Sequence, residues 1–255
     1  MLRKLLINPD PGKVFRWQYL LALPLWVLVG FFLSQFILVG VFALLKGAGI
    51  SLEAANPAVV NTMLAVAIYA LSLAIVIGVP WLVKRRRTTA DDVGISRWPS
   101  WLDILLAPAA LVIYFILSHV LLSLVAALVP GLNLTEAQNV GFGNLTQHYE
   151  VMLAFITLVL LAPIAEELLF RGYLYGKLKR SVPIWAAALV TSAAFGFVHG
   201  QWNVAFDVFV LSLVACGLRE MTGSIWAGVL LHAMKNAIAF YLLFINPTLL
   251  TTMGT

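Results

Sequence analysis

An all-α, polytopic transmembrane bundle is the fold class this sequence predicts, and three observations predict it. Of the 255 residues, 62% are hydrophobic and only 11% are charged, where an ordinary soluble domain carries about 25% charged residues. The apolar residues come in long runs, and a helix needs about 20 of them to cross a bilayer. The net charge of +5 is gathered into short clusters between those runs. A soluble fold of this size leaves much of its surface wet and could not hide so much apolar side chain.

The spans fall near 17–45, 58–83, 101–128, 150–175, 183–199, 203–219 and 224–245. They give about seven membrane helices, with six or eight also compatible, in a single membrane domain over 1–255. The run from Trp17 to Leu45 exceeds the ~7–15-residue core of a signal peptide, so it reads as a retained first helix. The fourth span is interrupted by charge. The fifth and sixth are short, and would be tilted, partly inserted or joined as a tight pair.

Orientation follows from the basic clusters: Arg3, Lys4, Lys13 and Arg16; Lys84, Arg85, Arg86 and Arg87; Arg171, Lys177, Lys179 and Arg180. They alternate with the weakly charged loops 46–57 and 129–149. Basic loops stay cytoplasmic, so the N-terminus is expected in the cytoplasm of a cell (inner) membrane and the C-terminus on the other side. The basic charge is thereby a topology signal, and no nucleic-acid partner is expected. Residues 88–100 read as a cytoplasmic connector, with Trp98 and Trp101 as interfacial anchors. Cys216 is the only cysteine, which excludes an internal disulfide or a cysteine metal cluster and leaves a packing role.

Ionisable groups inside apolar helices are costly and are candidates for function by default. Glu166 and Glu167 follow an apolar run and precede Arg171. Glu167 and Arg171, four apart, share a helix face and can pair. Glu166 points about 100° away, so it is free to serve as a general base in a dry site; the competing reading is a solvated salt bridge at a helix end. His199 closes the run Phe195-Gly196-Phe197-Val198, where a lone histidine is usually structural. His232 and Asn236 share a face of the last span; they could stabilise an oxyanion or simply hydrogen-bond between helices. Lys235 lies on another face and is expected to snorkel. Asp207 could orient His199 or partner a neighbouring donor. Two chemistries remain open. Glu166 and His199 could activate water while His232 and Asn236 bind the oxyanion; or Glu166, His199 and His232 could hold zinc, although no HExxH is present.

Taken in order, Glu166-Glu167-x-x-x-Arg171, Phe195-x-x-x-His199 and His232-x-x-x-Asn236 resemble the three motifs of the CPBP family, the CAAX proteases and bacteriocin-processing enzymes also called the Abi family. Phe170-Arg171-Gly172-Tyr173-Leu174 and Thr222-Gly223-Ser224-Ile225-Trp226 add local likeness. The resemblance covers roughly residues 160–240. It implies a helical intramembrane endopeptidase related to CAAX prenyl protease type 2, with its catalytic core over 150–245. Its substrate would be a membrane-associated peptide or protein. Carried over, Glu166 and His199 activate water, His232 and Asn236 form the oxyanion site, and Glu167 and Arg171 support them, with zinc a further option. The rival readings are a non-catalytic membrane scaffold or bacteriocin-immunity protein built on the same polar pocket, and a small transporter.

One expectation is in tension with the rest. At 1.5 Å per residue, Glu166 lies about 15 Å from a helix end near Gly176, whereas His199 lies about 25 Å from Val182. A straight fifth helix therefore carries His199 too deep, unless it tilts strongly or begins outside the hydrocarbon.

Overall fold

The computed structural model describes residues 15–50, 55–85, 87–129, 131–134, 140–143 and 145–249, and among them finds helices and no strand. Of the basic clusters, Arg3, Lys4, Lys13 and Arg86 lie outside the described residues. In chain order the helices are α1 (Tyr19–Gly47), α2 (Pro57–Val83), α3 (Ala90–Val93), α4 (Trp101–Leu128), α5 (His148–Leu178), α6 (Ile184–Phe197), α7 (Trp202–Thr222) and α8 (Trp226–Ile245). Five of them, α1, α2, α4, α5 and α8, are long and apolar enough to cross a membrane. The other two rods are those the sequence marks as short: α6 has 14 residues and α7 has 21.

Local chemistry sets the helix ends. Asn56 accepts hydrogen bonds from the backbone N–H groups of Ala58 and Val59 at 2.9 and 3.4 Å, and Pro57 follows it at the first helical position, where its missing N–H costs nothing. Asp103 closes the start of α4 by accepting from the Ser100 backbone N–H and hydroxyl, both at 2.7 Å. At the end of α7, Gly223 takes φ +69°, the left-handed cap that favours glycine.

The interior is built from α5 to α8. Phe170, Leu174, Tyr175, Phe195, Leu211 and Leu231 are fully buried there, whereas α1, α2 and α4 keep rows of large apolar side chains exposed. In a membrane those rows face lipid, which is as apolar as they are. α6 and α7 form the closest hairpin, α4 packs on α7 and α8, and α2 lies between α1 and α5.

α2 and α5 run parallel, joined by side-chain hydrogen bonds that include Asn56 to Glu150 at 2.5 Å, Thr157 to Thr62 at 3.1 Å and Tyr69 to Glu166 at 2.5 Å. From the first of these to the last, α2 advances 13 residues and α5 advances 16. The surplus is taken up by a π-helical stretch, Ile156–Leu161, inside α5, where each turn holds more residues.

The depth of His199 is explained by the α5–α6 hairpin. α5 continues to Leu178 rather than ending near Gly176, and α6 begins at Ile184. Arg171 and Phe195 each lie twelve residues from Pro183, and the Arg171 guanidinium carbon sits 4.1 Å above the Phe195 ring centroid. By the same count Glu167 and His199 are each sixteen residues from Pro183, so the two are level. The expected mismatch came from counting the two helices from different points, Gly176 and Val182; from the shared turn at Pro183 the arms are equal.

The connector after α2 is a folded strap rather than a plain loop. Gly94 O accepts from Ile225 N at 3.1 Å and Ser224 Oγ at 2.9 Å, and Trp226 Nε1 donates to Arg97 O at 2.6 Å. Beneath it, a Cβ on Gly176 would stand 2.7 Å from Asp92 O, so only glycine allows this approach. Asp92 pairs with Arg180 at 2.6 Å. Its carboxyl is held below the usual range, first by the Thr89 backbone N–H it accepts and then by Arg180. Trp98 and Trp101 are 84% and 79% exposed, as interfacial anchors would be.

Candidate active site

Three helices deliver the singled-out side chains to one place. Glu166 on α5, His199 just beyond α6, and His232 and Asn236 on α8 all line a single cavity of about 330 Å³. The rest of its wall is largely apolar, including Phe31 of α1, Leu158 of α5 and Phe240 of α8. It extends to Val140, between α4 and α5, and to Leu243 and Phe244 near the end of α8. Those residues are at the end of the bundle away from the connector strap, whereas a cavity opening toward the basic loops would fit a cytoplasmic tail.

Beside this cavity lies a buried charge cluster. Glu167 and Arg171 are both fully buried and pair at 3.1 Å, which excludes the solvated salt bridge as their role. Either charge alone in the hydrocarbon would cost about 2.5–3.5 kcal/mol, so each accounts for the other. Glu167 Oε1 also accepts from His232 Nδ1 at 3.2 Å. Space for this contact comes from Gly228, one turn earlier on α8, where a Cβ would stand 2.9 Å from Glu167 Oε2.

These contacts assign the imidazole nitrogens. Phe195 O lies 2.8 Å from His199 Nδ1. A carbonyl can only accept, so Nδ1 carries the proton and a neutral His199 keeps a lone pair on Nε2. His232 is held in the same way by the Glu167 carboxylate. Its Nε2 stands 3.8 Å from Glu166 Oε2, and it can donate to a third group only as the imidazolium, with Glu167 as counter-ion. Asn236 gives one amide hydrogen to Leu158 O at 2.9 Å and has a second to offer.

The remaining residues depart from expectation in informative ways. Asp207 Oδ1 accepts from Tyr114 at 2.5 Å and Ser118 at 2.6 Å, and Oδ2 meets Lys235 Nζ at 3.4 Å. It is therefore engaged by neighbouring donors on α4 and α8, the second of its two sequence readings, and orients Lys235 rather than His199. Lys235 lines the cavity and does not snorkel, because a carboxylate on α7 is within reach. Tyr69 escaped the sequence reading. It donates to Glu166 Oε1 at 2.5 Å, a bond to a charged group of the kind worth about 1.5–3 kcal/mol. Its only cue was Thr62, seven residues earlier on the same face of α2. Cys216 is buried and free, as its packing role requires. Among the described residues no three His, Cys, Asp or Glu side chains are grouped to hold a metal ion. The zinc set of Glu166, His199 and His232 is therefore not grouped as metal ligands among the described residues, and no step is routed through a metal.

Paired carboxylates, two histidines and an amide thus meet at or beside one cavity of an apolar helical bundle. Residues 148–238 match the family model described as type II CAAX prenyl endopeptidase Rce1-like. Two curated relatives each match part of the chain. An uncharacterised 24.3 kDa protein of Escherichia coli is 32% identical over 88 residues, 32% of this chain and 41% of that protein. A Bacillus subtilis (strain 168) protein named "Putative membrane peptidase YdiL" is 29% identical over 86 residues, 34% of this chain and 35% of that protein. The matches thus span less than half the length of either relative. No solved structure matches.

Proposed function

We propose that this protein is an intramembrane endopeptidase that hydrolyses a peptide bond of a membrane-associated protein or peptide, with residues 150–245 as its catalytic core. The observation that carries this reading is the convergence of Glu166, His199, His232 and Asn236, from three helices, on one cavity within an apolar bundle. Glu166 and His199 take a proton from water as it attacks the carbonyl carbon. His232 and Asn236 donate to the oxygen on which negative charge develops. The protonated base then returns the proton to the leaving amine. Glu167 and Arg171 act behind them: Glu167 fixes the His232 ring and is itself neutralised by Arg171. Asp207 holds Lys235 at the cavity wall. The family description favours a prenylated, CAAX-like tail, whereas the cavity's extension toward Val140, away from the basic loops, favours a substrate reaching it from the other end of the bundle.

The test is cleavage, read by mass spectrometry, of a panel of farnesylated and membrane-anchored peptides by the detergent-purified protein, with and without a chelator. Wild type should cut one internal bond, the chelator should leave the rate unchanged, and Asn236→Ala should lower it by about 10²–10³-fold. A rate abolished by chelator would overturn the metal-free chemistry. A wild-type protein inactive on the whole panel would favour a scaffold that uses the same cavity to bind a partner.

A further inference from the structure

The matched family segment begins at residue 148, yet the cavity wall includes a polar group from well before it. Tyr69 lies in the middle of α2, lines the cavity and donates to Glu166 Oε1 at 2.5 Å. Its position is enforced from both sides. Along α2, Thr62 and Asn56 bind α5 and lock the register between the two parallel helices. Across the bundle, Ser72 meets Ser34 of α1 at 2.8 Å with both hydroxyls fully buried, and Trp26 donates to Val76 O at 3.1 Å. The π-helical stretch Ile156–Leu161 contains Thr157 and ends before Glu166; the extra residues it accommodates let Glu166 meet Tyr69 after Thr157 has met Thr62.

We infer that Tyr69 is a positioning residue of this active site, donating to Oε1 of Glu166 so that Oε2 is the oxygen turned to the reacting water and to His232. The inference rests on Glu166 being the base of the proposed reaction. It extends the working unit from the matched segment to α2, which contributes a fixed hydroxyl rather than only a lipid-facing wall. A carboxylate with one oxygen already bonded loses rotational freedom, which is the pre-organisation a base needs. Glu166 Oε2 stands 3.8 Å from His232 Nε2, so the two oxygens are already in distinct settings.

Two readouts separate this role from a merely structural one. The first needs no substrate. Dicyclohexylcarbodiimide must bond to a carboxyl oxygen, and the Tyr69 hydroxyl covers Oε1 of Glu166. At neutral pH, Tyr69→Phe should therefore be labelled at Glu166 severalfold faster than wild type, by peptide mass mapping. Thr62→Val, which cuts a neighbouring contact between the same helices but leaves the Asn56–Glu150 bond to hold their register, should label at the wild-type rate. Equal labelling of wild type and Tyr69→Phe overturns the inference, as does equal acceleration by Thr62→Val. The second uses whichever panel peptide wild type cuts. Tyr69→Phe should lower kcat by about 10–100-fold, the effect of one hydrogen bond to a charged group, with KM and Tm nearly unchanged, while Thr62→Val keeps kcat. A fall confined to KM, or one that tracks Tm, contradicts positioning. Full activity in Glu166→Gln would overturn the protease assignment of Glu166 instead, and the labelling result would still stand.

Discussion

At the scale of single residues, legibility depended on how unusual each side chain is in its surroundings. Glu166 and Glu167 could be read because carboxylates in an apolar run demand an explanation. The Glu167–Arg171 pair could be read because four-residue spacing puts both on one face. Tyr69 could not, since a tyrosine in an apolar helix is ordinary, and its partner lies 97 residues away. Lys235 was misjudged because the helical spacing gives its face but not that Asp207 of another helix meets it there. The buried pair carries its own prediction. Glu167→Ala strands Arg171, which is fully buried, and should destabilise the protein by about 3–5 kcal/mol, seen as a clear drop in Tm in detergent. A Tm within a degree of wild type would show that the pair is not a stability element.

At the scale of elements, the seven apolar runs set the helix limits to within a few residues, because the bilayer leaves few alternatives to a helix of spanning length. What periodicity could not show is where π-helical turns fall, and these tune the register of α5 against α2. The depth of His199 was legible only once the α5–α6 turn was located around Pro183. The strap was also hidden, because hydrogen bonds from Ser224 and Trp226 to residues 94–97 are non-local. Its charge pair makes a pH prediction. Asp92 has its carboxyl lowered in the folded state by the Thr89 backbone N–H and then by Arg180. A lowered folded value adds stability above the ordinary carboxylate range and loses it as pH falls through the folded value. Asp92→Asn should therefore lower Tm at neutral pH, with the difference vanishing in acid. A constant difference at all pH values would show that Asp92 acts by shape alone.

At the scale of the whole molecule, composition was enough for the class, because a chain this apolar has no soluble solution. Sidedness rests on the basic clusters and the positive-inside rule. Cys216 is buried, so single cysteines can be introduced and read against a quiet background. Trp98→Cys and Gly143→Cys should react with an impermeant maleimide from opposite sides of sealed vesicles, Trp98→Cys from the cytoplasmic side. Labelling of both from one side would contradict the arrangement of spans. The cavity runs from Glu166 toward Val140 and the end of α8, so sidedness also decides which compartment it approaches. With the cytoplasmic N-terminus proposed here, its apolar end lies toward the outer side.

The most direct test of the central claim is the single-turnover rate of Glu166→Gln against wild type on a peptide that wild type cleaves, with Tm measured on the same samples. Glutamine keeps the shape of the side chain and can still accept from Tyr69, but it cannot take a proton from water. The account predicts a fall of about 10²–10⁴-fold in a protein that melts as wild type does. A folded Glu166→Gln that cleaves at the wild-type rate would contradict it and move the search for the base to His199.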